Sequence, residues 1–250
     1  MSSAGSLSKL LDIYDIDFAF ISEHKLRNEH KVFLDSIHRN YHAITLCDSS
    51  NTSGSRCGKG GVAIMYKVGC HFSVSPIDIC DNNRILGVKI DQRNTRPIYA
   101  FSVYMPSVNY STAEYHECFQ CLKNLYDTFS AIGTVLFLGD FNCDIYKRAS
   151  SDERLKIFAS FLETTQLSAV PLEGSFTFRP TCKMLDYVII NKNQRNLIET
   201  NKAIDKDICT VSDHLPILTL LKIETISYRI SQNANVAWNK CSDEQLASYQ

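Results

Sequence analysis

Apolar residues gather in this chain into runs of two periodicities, and the polar residues that end the runs carry most of the functional information. Val135, Leu136, Phe137 and Leu138 form a near-continuous apolar run rich in strand formers, the pattern of a strand buried on both faces. Gly139 stops it, and Asp140, Phe141 and Asn142 follow. DFAFIS at 17–22 is a second buried-strand pattern, closed by Glu23 and trailed by the basic cluster Lys25, Arg27 and Lys31. Further strands are predicted over 42–47, 61–67, 72–75, 85–90, 97–105, 175–178, 186–191 and 214–221. Helical spacing marks 7–16, 28–39, 111–131 and 152–167; Tyr115, Cys118, Leu122, Leu125 and Phe129 share one face of the third, and Leu155, Phe158, Phe161 and Leu162 one face of the fourth. Strand 97–105, helix 111–131 and the strand ending at Leu138 make a layered α/β unit. The other strands have few helices between them, which favours two packed sheets. From about Ile226 the chain turns polar, so the expected division is a domain over 1–223 and a linker or tail over 224–250.

Asp140 and Asn142 would leave an extended strand tip on the same side, at the strand end where open α/β sheets collect ligands. Taken alone, GD-x-N is read equally well as an Asx turn, and Glu23 as a surface acid closing a strand. Tyr104, at the end of strand 97–105, is either core or a phosphate hydrogen bonder. The loop 48–61 offers Arg56, Lys59 and several glycines to a phosphate, but lacks P-loop spacing and reads as a strand connection. Cys118 and Cys121 form a CxxC inside a helix with no second pair at zinc spacing, and read as small residues on one helix face.

A formal charge of −1, from 26 Lys and Arg against 27 Asp and Glu, excludes bulk electrostatic attraction to nucleic acid. A phosphate-bearing partner would need a local basic rim or a metal ion. The ten cysteines are scattered among apolar runs without a secretory pattern ahead of them, so they are expected reduced, in a nuclear or cytoplasmic protein. No apolar run approaches the ~20 residues of a membrane span, and no membrane partner is expected.

Thr177, Asp186, Ser212, Asp213 and His214 also stand beside predicted strands. With Glu23, Asp140 and Asn142 they supply what metal-assisted phosphodiester hydrolysis requires: carboxylates for a hard divalent cation, an imidazole oriented by an acid, with Asp186 the candidate for His214, and a further aspartate for the attacking water. In this order the pieces ISEHKL (21–26), GKGGVAIMYK (58–67), VYMPS (103–107), GDFN (139–142), SFTF (175–178), LDYVI (185–189) and SDHLPI (212–217) resemble the endonuclease/exonuclease/phosphatase superfamily. More narrowly, they resemble the endonuclease domain of LINE-type non-LTR retrotransposons. GDFN and SDHLPI are the specific pieces.

That resemblance implies a four-layered, DNase I-like α/β sandwich, two facing sheets with helices outside and a cleft along one edge. It implies Glu23 as a ligand of Mg²⁺ or Mn²⁺ and Asp213 as a second metal-side or water-orienting carboxylate. Asp140 would position or deprotonate water, Asn142 and Tyr104 would hold the phosphate, and Asp186 would orient His214, which stabilises the pentavalent phosphate. Thr177 and Ser212 would support the site through their hydroxyls. The implied reaction is in-line attack of water on a DNA phosphodiester, and the implied partners are DNA and a reverse transcriptase domain in the full-length element. One departure stands out: family members open on a strand with an N-x-x-G-L phrase, whereas this chain runs from MSSAGS into a helix. The first strand is therefore expected to be missing, leaving unpaired backbone or a closed gap beside strands 17–22 and 214–221. The alternatives are an inositol-lipid phosphatase or sphingomyelinase sharing GD-x-N and SDH, and a non-catalytic remnant that binds nucleic acid.

Overall fold

The computed structural model describes residues 3–48, 58–79, 82–147, 152–205 and 211–223; Arg56 and the expected tail over 224–250 lie outside them. Helix α1 (Ser3–Ile13) leads into β1 (Phe18–Ser22), and a 3₁₀ segment, Asn28–Ser36, stands where a helix over 28–39 was expected. Strands β2 (Tyr41–Leu46), β3 (Val62–Lys67), β4 (Ser73–Ile77), β5 (Ile85–Asp91) and β6 (Ile98–Tyr104) follow. Helix α2 (Thr112–Phe129) begins at a capping box in which Ser111 and Glu114 satisfy each other's backbone N–H groups. After β7 (Thr134–Asp140), helix α3 (Glu153–Thr164) is capped by the Asp152 carboxylate, which accepts from Arg154 N and Leu155 N. Strands β8 (Leu167–Ala169), β9 (Asp186–Asn191), β10 (Ile198–Ala203) and β11 (Ile217–Leu221) complete the described chain.

The large sheet has the order β4-β5-β6-β7-β9-β8, with β6 and β7 parallel and joined through α2, and the other pairs antiparallel. Strands β1-β3-β2 form a second sheet and β10-β11 a separate pair. Three apolar clusters fill three interfaces. Phe119, Leu122, Phe158 and Phe161 of α2 and α3 meet Phe101, Phe137 and Ile189 on one face of the large sheet. Its other face, through Val88, Ala100, Leu136 and Val188, meets Val62 and Ile64 of β3 together with Ile217 and Leu221 of β11. Leu11 of α1 closes the outer face of the small sheet against Tyr41 and Met65. Helix, sheet, sheet and helix are thus stacked as four layers, the DNase I-like sandwich expected.

The strands differ from the sequence reading at three points. Residues 175–178 form no strand; Phe178 makes only isolated bridges to Lys183 and His214. β10 and β8 are strands that the apolar pattern does not announce. β1, read as buried on both faces, is half-buried at all five positions, because among the described residues only its β3 edge is paired, and a strand at a sheet edge stays partly open whatever its composition.

Candidate active site

Strand register assembles the site from residues far apart in sequence. Asp140 is the last residue of β7; it pairs with Tyr104, last of β6, on one side and with Asp186, first of β9, on the other. Three functional side chains therefore stand side by side across adjacent strand ends, as cross-strand partners on one face do. The residue before Asp140 has φ +141°, and a Cβ there would lie 2.0 Å from the Val103 carbonyl oxygen, so only glycine fits at Gly139. The facing sheet is fastened at this edge by two hydroxyls: Ser22 Oγ donates to Val103 O at 2.9 Å and Ser102 Oγ to Ile21 O at 3.2 Å. That holds the end of β1, and with it Glu23, over the row.

Asp186 and His214 are in contact, Nδ1 to Oδ2 at 2.7 Å. Thr177 is fully buried, and its hydroxyl oxygen accepts from Leu185 N and Asp186 N, both at 3.0 Å, fixing the start of β9. Its own carbonyl accepts from Leu215 N at 2.7 Å, tying the His214 segment to the same point. Ser212 Oγ accepts from His214 N at 3.1 Å, and the Phe178 ring lies 4.9 Å from the imidazole. Burial alone would lower the imidazole pKa. The hydrogen bond and charge of Asp186, with the charges of Asp140 and Asp213, outweigh it and hold His214 up at about 9. Asp213 itself is exposed, and its backbone carbonyl accepts from Arg179 N at 2.8 Å.

Asp140 is 5% exposed. Its Oδ1 accepts from Asn142 N at 2.8 Å and its Oδ2 from Asn142 Nδ2 at 3.1 Å, while Nδ2 also donates to Met105 O at 2.8 Å. Asn142, in the left-handed region at φ 50°, thus holds the carboxylate through its backbone N–H and one amide hydrogen and spends the other amide hydrogen on Met105 O. Burial drives the Asp140 pKa far above the usual carboxylate range, the Asp186 and Glu23 charges push the same way, and His214 and the Asn142 N–H oppose them.

Glu23 has φ 54°, a conformation costing roughly 1–3 kcal/mol for a residue with a Cβ and typical of functional positions. The neighbouring His24 holds it there: Leu26 N donates to Nδ1 at 3.0 Å, and Nε2 contacts Leu46 O at 3.1 Å. Burial lowers the His24 pKa, as fits a neutral structural imidazole. Lys25 Nζ lies 3.4 Å from Glu23, so part of the expected basic cluster serves the site. Burial raises the Tyr104 pKa, followed by the Glu23 and Asp140 charges and a hydrogen bond with Glu23; its hydroxyl keeps its proton.

Among the described residues no three His, Cys, Asp or Glu side chains stand close enough to hold a metal ion by themselves. The donors present nonetheless fit one. Glu23, Asp140 and Asp186 raise one another's negative potential, which an added cation would offset. Mg²⁺ takes one or two protein carboxylates and completes its shell with water and phosphate oxygens.

The sequence reading missed the residues that hold the GDFN loop rigid. Tyr115 OH donates to Phe141 O at 2.9 Å and Tyr187 OH to Cys143 O at 3.0 Å, while Ile145 N donates to the Tyr187 oxygen at 3.1 Å. Tyr115 reads as part of the apolar face of its helix and Tyr187 only as part of a strand; both rings are core, and only register reveals that their hydroxyls reach the loop. Cys118 and Cys121 lie on α2 against the same core, with thiols raised by burial. In the expected strand connection, the described Gly58–Gly61 backbone pairs with residues 24 and 25, through His24 N to Gly61 O and Lys25 N to Gly60 O. No helix among the described residues is long and apolar enough to cross a membrane.

Residues 98–218, from β6 to β11, match the family model described as "Endonuclease-reverse transcriptase". The whole architecture is similar to the endonuclease domain of TRAS1, a telomere-specific non-LTR retrotransposon, at 18% identity and a TM-score of 0.68 over 88% of this chain and 92% of that one. It is similar to the AP endonuclease LMAP from Leishmania major at 14% identity and a TM-score of 0.69, over 88% and 82% of the two chains. The catalytic domain of Xenopus laevis APE2 is similar at 15% identity and a TM-score of 0.67, over 90% and 89%. A comparison with curated proteins finds no match. The segment matched by this family model carries the strand-end carboxylates in register and the aspartate on the imidazole, within a fold similar to that of these endonucleases.

Proposed function

We propose that the chain is a divalent-metal-dependent endonuclease that nicks DNA, the role of a retrotransposon endonuclease domain working alongside a reverse transcriptase. The observation that carries this reading is the alignment of Tyr104, Asp140 and Asp186 on three adjacent strand ends, with His214 2.7 Å from Asp186. Such a row grips one phosphate from several sides. Glu23 would hold the ion, with Asp213 at the rim as the second acidic group; the ion, Mg²⁺ or Mn²⁺, would polarise a phosphate oxygen and offset the charge that builds there.

The chain's own groups supply the rest. Asp140, gripped by Asn142 on both oxygens, orients the attacking water and receives its proton; its raised pKa matches a group that accepts a proton near neutral pH. His214, cationic at about 9, faces the negative charge that grows on the phosphoryl oxygens. Asp186, fixed by the Thr177 hydroxyl, keeps the imidazole oriented. Tyr104, which retains its proton, donates to a phosphate oxygen or to Glu23. The oxygen–phosphorus bond to the leaving 3′ oxygen of one strand breaks as the water oxygen bonds phosphorus in line, leaving a 3′-hydroxyl and a 5′-phosphate.

Supercoiled plasmid incubated with Mg²⁺ or Mn²⁺, with EDTA, and with the Asp140→Ala variant tests the proposal. Metal-dependent relaxation to the nicked form, lost in the variant, is expected. Salt-sensitive DNA binding without nicking would refute it, as would phosphate release from an inositol lipid with no action on the plasmid.

A further inference from the structure

Beside Tyr104, outside the row of acids, stands a cation that the reaction above does not use. Arg84 immediately precedes β5 and is half-buried. Its guanidinium carbon lies 4.3 Å from the Tyr110 ring centroid and 5.6 Å from that of Tyr104, within cation–π range of both. Among the described residues it makes no ion pair, although the acid Glu114 feels its charge. An arginine stacked on two rings but without a carboxylate keeps its planar fork of N–H donors for an outside acceptor.

The surroundings fix it. Asn82 Oδ1 accepts from Arg84 N at 2.9 Å, and the Arg84 carbonyl accepts from Tyr104 N at 2.9 Å, so its backbone is tied directly to a site residue. The Tyr110 loop is held by a second arginine, Arg154 of α3, which donates to Pro106 O, Ser107 O and Tyr110 O at 2.5, 2.7 and 2.7 Å. Arg154 has therefore used its donors on the scaffold, whereas the Arg84 side chain donates to none of the described residues.

We propose that Arg84 binds a backbone phosphate of the DNA next to the one being cleaved, held in place by the Tyr104 and Tyr110 rings. This rests on the nuclease reading for the identity of the strand, but not for the presence of an anion-binding fork. A chain of net charge −1 needs local cations to hold a polyanion, and an arginine stacked beside Tyr104, with no ion pair among the described residues, meets that need.

A fluorescent duplex of about 20 base pairs, titrated in EDTA so that it is not cut, reads this directly. Arg84→Ala should raise Kd about tenfold at ~0.1 M salt and make the log Kd against log salt slope shallower by about one phosphate contact. Arg84→Lys should restore the slope but only part of the affinity, because an ammonium lacks the fork. If Arg84→Ala fails to fold, Arg84→Gln, which keeps a planar group over Tyr110, carries the same comparison. Unchanged affinity and slope in the folded variant, or no DNA binding by the wild type, would overturn the inference. Plasmid nicking with Mg²⁺ is scored separately: a wild type that binds through Arg84 yet never nicks removes the nuclease reading and leaves the phosphate grip standing.

Discussion

Replacing Asp186 by Asn should move the titration of His214 more than any other single change. The imidazole stands at about 9 because the hydrogen bond and charge of Asp186 outweigh its burial; asparagine keeps the shape and removes the charge. Burial then acts with only the more distant Asp140 and Asp213 against it, and the midpoint should fall to near the ordinary value of about 6.5. At pH 7.5 the cationic fraction drops from about 97% to about 9% between those two midpoints, so a step that uses imidazolium should slow about tenfold from population alone. Loss of orientation adds to that. The stability consequence has a definite sign. A histidine whose folded pKa exceeds its unfolded value contributes stability that is complete below about pH 6.5 and vanishes as pH rises through about 9. With a quarter of the side chain open to solvent (26%), screening leaves about 1–2 kcal/mol of it at pH 6. Imidazole resonances followed by NMR in EDTA, with thermal melts from pH 6 to 10, check both. Wild-type and variant melting curves should differ at pH 6 and converge above about pH 9. A variant His214 midpoint still within about half a unit of 9 would refute the claim that Asp186 is the cause.

Asp140→Asn should abolish nicking yet raise the thermal stability of the metal-free protein by about 1–2 kcal/mol at pH 8. The native carboxyl, its pKa raised by burial and by Asp186, contributes stability at acid pH that is lost as pH rises through the raised value; a lower melting temperature for the variant would show the charge to be well satisfied. Phe141→Ala should cost about 3–5 kcal/mol, because the ring is fully buried, stacked on Phe158 at 5.0 Å and edge-on to Tyr187 at 5.9 Å; a urea midpoint close to wild type would mean that the loop does not depend on it. Thr177→Val keeps the volume but strips the acceptor from Leu185 N and Asp186 N. A loss of about 1–3 kcal/mol and a lower kcat at unchanged KM are expected, and unaltered turnover would separate Thr177 from the positioning of Asp186.

What was legible in the sequence, and what was not, divides along one physical line. β7 and the loop after it announce themselves because a run of buried side chains must end somewhere, and Gly139-Asp140-Phe141-Asn142 puts a tight approach, an acid and an amide at that end. α2 and α3 are legible for the same reason, since each shows a periodic face and a capping residue. β10, β8 and the SFTF segment are not, because they are short, polar-flanked or held by single bridges, and their pairing is decided by partners elsewhere in the sequence. The site repeats this pattern. That Asp140, Asp186 and His214 are candidates for chemistry is readable from their places beside predicted strands, and the Asp186–His214 contact was expected. That Tyr104, Asp140 and Asp186 form a single lateral row is not readable, because a one-residue slip in either pairing would turn a side chain to the opposite face. The register is fixed by groups that look unremarkable in a sequence: Ser22 and Ser102 reaching across between sheets, a glycine that lets β7 approach Val103, and two tyrosine hydroxyls under the loop. These are buried polar contacts, and their cost if left unmade makes them selective for one arrangement. The acids are placed by strand register, and the small hydroxyls set the distance at which the facing sheet stands over them.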